Sequence, residues 1–68
     1  MITTEQKINN ISLKMCGITS ISPVIWRIML CEYLRRFGQK MINEVFEEED
    51  VDTQYRIIEK YRLLSLEK

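Results

Sequence analysis

The feature that most constrains this chain is Ser22-Pro23, which holds its only proline. A serine hydroxyl accepts a bond from a free N–H of the first turn, and proline at the first helical position has no N–H to satisfy, so a helix starts here. At about 100° per residue from Trp26, the side chains of Leu30, Tyr33, Leu34, Phe37, Met41 and Val45 stay within about 120° of one another. The stripe keeps its phase across Gly38. A glycine costs a helix about 1 kcal/mol relative to alanine, so Gly38 marks where the rod would kink. The unbroken phase predicts one central helix over residues 23–48, of about 26 residues and about 39 Å.

Two shorter helices should flank it. Thr3 with Gln6 has the spacing of a capping box, and Ile8, Ile11 and Met15 follow at helical intervals, which predicts a helix over 4–15. Gly17 is placed to close that helix in the left-handed conformation, with Ile18 and Ile21 tucked inward from the connection. Near the other end, Asp50 or Asp52 is suited to cap a helix over 53–66. Ile57, Ile58, Tyr61 and Leu64 form its main face, and Tyr55, Leu63 and Leu66 lie largely opposite. The expectation is a single all-α domain, residues 1–68, with three helices, the outer two antiparallel to the long central one.

Such a molecule is thin. The segment Val24–Cys31 carries one charge, Arg27, and is apolar around nearly its whole circumference, the pattern of a helix covered on all sides. Flanking helices of about 18 and 21 Å are too short to cover it. At 8.2 kDa, size scaling lets about 60% of the surface be hidden. Apolar transfer at ~25 cal/mol/Å² then contributes about 100 kcal/mol, and ordering 68 residues at ~1.5 kcal/mol each costs about the same. Burial against a partner would tip that balance. A dimeric helical bundle is the expected solution, because two-fold pairing is the commonest closed symmetry. Ile25, Trp26, Ile28, Met29 and Leu30 are the expected contact residues, since aromatic and methionine side chains are enriched at interface centres.

Other functions find less support. Ten basic and ten acidic residues cancel, so no global field draws the chain to nucleic acid or an anionic membrane. No apolar run approaches the ~20 residues that span a bilayer, and residues 1–7 do not read as the start of a secretory signal, which predicts a cytoplasmic protein. Histidine is absent, and Cys16 and Cys31 form neither a zinc motif nor a disulfide framework. Against the calcium-loop pattern beginning at Asp50, Tyr55 stands where glycine is needed and Tyr61 where the bidentate glutamate belongs. No metal, cofactor or catalytic machinery is therefore expected.

Two charged clusters merit separate readings. Residues 44–52 hold six carboxylates, and Glu47, Glu48, Glu49, Asp50 and Asp52 make a candidate docking surface for a basic partner, although acidic runs usually lie simply solvated. Arg35, Arg36 and Lys40 are the candidate DNA contacts of a loose helix-turn-helix over residues 11–26. Pro23 falls inside what would be its recognition helix, and Val24, Ile25 and Trp26 stand where polar base-reading residues belong. The best-supported expectation is a non-catalytic interaction module acting as a homodimer, a regulator of phage or plasmid type that serves as adaptor or inhibitor of a larger host protein. The alternative is a small dimeric DNA-binding transcriptional regulator.

Overall fold

The computed structural model describes residues 1–67, which form four helices: α1 (Thr4–Thr19), α2 (Pro23–Phe37), α3 (Gln39–Glu47) and α4 (Val51–Leu66). The expected central helix is broken in two. Gly38 sits at φ 87° and ψ 179°, a region open essentially only to glycine. A continuous helix over 23–47 would be about 37 Å long, more than the molecule's greatest extent of 31 Å. Turning the chain at Gly38 brings Met41, Ile42 and Val45 back into the core, where all three are fully buried.

Local signals placed the helix starts well. The α1 capping box is present, with Gln6 N–H donating to Thr3 Oγ1 at 3.1 Å and Thr3 N–H to Gln6 Oε1 at 2.9 Å. Ser22 Oγ accepts from the Val24 N–H, and Asp50, the earlier of the two candidate caps, accepts from both the N–H and the hydroxyl of Thr53 at 2.9 Å. The end of α1 differs from expectation. The helix runs through Gly17 to Thr19, and Ser20 takes the left-handed conformation (φ 65°) and donates its N–H to Cys16 O. Gly17 faces open space, so nothing obliges the chain to turn there. Ile18 and Ile21, expected inside, are 43% and 38% exposed.

The core joins Ile8, Ile11 and Met15 of α1, Trp26, Leu30 and Tyr33 of α2, Met41, Ile42 and Val45 of α3, and Ile58 of α4. A radius of gyration of 11.0 Å matches the ~11 Å of a compact domain this long. Polar groups tie the halves together. Thr4 Oγ1 donates to Gln39 Oε1 at 2.6 Å, Lys7 Nζ donates to Asn43 Oδ1 at 2.9 Å, and the same ammonium lies 5.5 Å from the Phe46 ring centre. Gln54 is fully buried and donates both Nε2 hydrogens, to Val45 O and Glu48 O at 3.0 Å each. It thereby gives Glu48 O its partner and Val45 O a second one beside the Glu48 N–H at 3.2 Å, at a helix end where carbonyls lack partners within the helix.

Candidate interaction surface

α2 turns two unlike faces outward and inward. Trp26, Leu30 and Tyr33 point into the core, whereas Val24, Ile28 and Cys31 fall on the opposite side and Ile25 on its flank. Ile28 is 64% exposed, Val24 54% and Ile25 50%. This divides the expected contact set. Ile25 and Ile28 are free on the surface, Met29 is half-buried, and Trp26 and Leu30 belong to the chain's own core. Trp26 is enclosed because Tyr55 packs edge-on against it, with ring centres 6.5 Å apart, and Thr19 accepts its indole N–H at 2.9 Å.

Charges lie around this strip, not within it. Arg27 is the sole charge between Ile18 and Cys31, and Glu32 is held by Arg35 at 2.7 Å in an exposed pair of the kind that contributes little to stability. Beside the strip, a groove of about 270 Å³ between α1 and α2 is lined by Thr4, Glu5, Ile8, Arg27, Cys31 and Leu34. Cys31 is exposed and Cys16 half-buried, and both are free thiols.

The acidic segment is divided by role. Asp50 is occupied as the α4 cap, and its carboxyl is held below the ordinary range first by the Thr53 N–H and then by the Thr53 hydroxyl. Glu44 accepts from the Tyr61 phenol at 2.6 Å and from Lys60 at 3.4 Å. Glu47, Glu48, Glu49 and Asp52 lie exposed. Arg35 and Arg36 sit in the last turn of α2, and Lys40 is beyond Gly38 on α3, so the basic residues are shared between two helices. On α4, Ile58 is buried and Ile57 and Tyr61 half-buried, but Leu64 of the expected main face is 46% exposed, beside exposed Leu63 and Leu66.

Gln54 and Thr19 were not singled out by sequence, and Tyr55 was placed on the face away from the core. Gln54 had a legible signal, a polar side chain in line with Ile58 and Tyr61 at helical spacing. Thr19 and the core contact of Tyr55 had none, because each depends on where Trp26 comes to rest. Among the described residues no helix is long and apolar enough to cross a membrane, and no three His, Cys, Asp or Glu side chains gather as metal ligands would. No protein-family model, curated protein or solved structure matches the chain.

Proposed function

We propose that this chain works by non-catalytic protein association through the outward face of α2, and that its first partner is a second copy of itself. One observation carries the reading. Val24, Ile25 and Ile28 are each at least half exposed on a helix turn with no charge but Arg27, although the core is already complete without them. Isolated exposed apolar residues need no explanation, but three clustered on successive turns mark a contact surface.

Magnitudes make the contact weak. Fully burying such a side chain is worth about 1.5–3 kcal/mol, so hiding the exposed halves on two copies gives about 5–9 kcal/mol before the cost of association. The dimer should then be no tighter than about micromolar. That strength suits an exchangeable surface, one that a larger protein presenting an apolar helix or groove could take over from the second copy. Ile28→Asp tests the reading, because it places a charge at the centre of the face without touching the core. In protein kept folded it should abolish concentration-dependent mass, while leaving the unfolding midpoint unchanged at dilutions where the parent is a single chain.

A further inference from the structure

We propose that Gly38 is a hinge through which two copies of this chain exchange α3 and α4, converting the broken α2–α3 pair into one continuous helix. The proposal does not depend on the outward face of α2, and it concerns the opposite, core-facing side of that helix.

Four observations support it. First, the break is a single residue, with Phe37 and Gln39 already helical on either side. Second, the apolar stripe from Trp26 to Val45 holds helical phase across that residue, so a straight helix would present one continuous face for burial. Third, α3 is the only one of the four helices that starts without a side-chain cap, whereas Thr3, Ser22 and Asp50 cap the others. Straightening would let the N–H groups of Gln39, Lys40 and Met41 reach the carbonyls of Arg35, Arg36 and Phe37, with Met41 giving up its 3.2 Å bond to Gly38 O. Fourth, the contacts that hold the closed form span the hinge: Thr4 with Gln39, Lys7 with Asn43, Trp26 with Tyr55. A second copy can supply every one of them, which is the condition for exchange at little net cost. Short hinges in unusual conformations favour such exchange.

The backbone at Gly38 sets the balance. Its φ of 87° is unfavourable for an L-residue in the closed form, and glycine is the poorer choice in the helical, exchanged form. An L-alanine should therefore favour exchange on both counts. A D-alanine should oppose it on both, because φ 87° and ψ 179° mirror ordinary extended backbone and a right-handed helix disfavours D-residues.

The test uses three full-length chains, obtained by expression or chemical synthesis, all carrying Ile28→Asp to remove association through the outer face. They differ only in having glycine, L-alanine or D-alanine at position 38. Each is refolded from denaturant at high concentration and diluted, and its mass is read by light scattering beside its helical circular dichroism. The expected order of dimer yield is L-alanine, then glycine, then D-alanine, with the dimerisation constant of the Gly38→Ala chain raised about a thousandfold over glycine. A Gly38→Ala chain that is a folded monomer, or unfolded at every concentration, overturns the proposal. So does a D-alanine chain that dimerises as readily as the L-alanine chain, since side-by-side packing is indifferent to the handedness of residue 38.

Discussion

Trp26 donates its indole N–H to Thr19 Oγ1 at 2.9 Å, and the same hydroxyl donates to Met15 O at 2.6 Å and accepts from the Ile21 N–H at 3.3 Å. One side chain thus fixes the end of α1, the turn into α2 and the orientation of the largest core residue. Replacing Thr19 with valine keeps the shape but leaves the indole N–H of a 3% exposed tryptophan without a partner. A loss of about 1–3 kcal/mol is expected, read as a lower urea midpoint at unchanged denaturant slope. An unchanged midpoint would mean that the bond does not hold Trp26 in place.

Gln54 makes the corresponding closure at the other end of the molecule. Gln54→Leu removes both donors from Val45 O and Glu48 O, and it also removes a buried Oε1 that has no hydrogen-bond partner in the protein. The two effects oppose each other. Val45 O keeps the Glu48 N–H at 3.2 Å and only Glu48 O is left without a partner, so the two lost bonds are partly offset by removal of the unpaired oxygen and the variant should lose about 1 kcal/mol. Faster amide exchange in α3 and at the start of α4 would localise the loss. A Gln54→Leu chain as stable as its parent would show that Glu48 O finds water.

The Tyr61–Glu44 bond gives stability a dependence on pH at both ends. The phenol's hydrogen bond, the largest cause, holds the Glu44 carboxyl below its ordinary value; burial opposes it as the next cause, and Lys60 assists. The same bond raises the Tyr61 phenol above 10.0, and burial adds to the rise. A lowered carboxylate contributes stability above its unfolded pKa and loses it as pH falls through the folded value. A raised phenol contributes below its unfolded pKa and loses it as pH rises through the folded one. Tyr61→Phe should return Glu44 toward an ordinary carboxyl in an NMR titration and flatten both limbs. An unmoved Glu44 would contradict the assignment of its cause.

These residues show why sequence revealed some elements and hid others. Helix starts are local: Thr3 with Gln6 and Ser22 with Pro23 complete their bonds within one turn, and both sat where the sequence placed them. The break at Gly38 is not decided locally, because the phase favours continuation and the glycine costs a continuous helix only about 1 kcal/mol. The turn is chosen by the burial of Met41, Ile42 and Val45, a return that no window around Gly38 contains. The same limit applies to the contact surface. Val24–Cys31 reads as apolar all round, but only packing decides that Trp26 and Leu30 go inward while Val24, Ile25 and Ile28 remain outside.

The outward face of α2 should matter to association and not to folding. Ile28 is 64% exposed, and surface substitutions remote from caps and core usually change stability by less than about 0.5 kcal/mol. At dilutions where the parent is a single chain, Ile28→Asp should accordingly unfold at the parent's midpoint, whereas Leu30→Ala, two residues on and fully buried, should lose about 2–5 kcal/mol. Similar losses in the two variants would mean that Ile28 is part of the core.

The decisive measurement is the weight-average mass by light scattering over a dilution series, for the parent chain and for Ile28→Asp. The mass of the parent should rise from 8.2 kDa toward twice that value as concentration passes through and above the micromolar range, while the variant, kept folded throughout and never passed through denaturant, stays at the mass of one chain. A parent that remains a single chain at the highest concentration reached, or a variant that associates just as the parent does, would contradict the claim that Val24, Ile25 and Ile28 form an interaction surface.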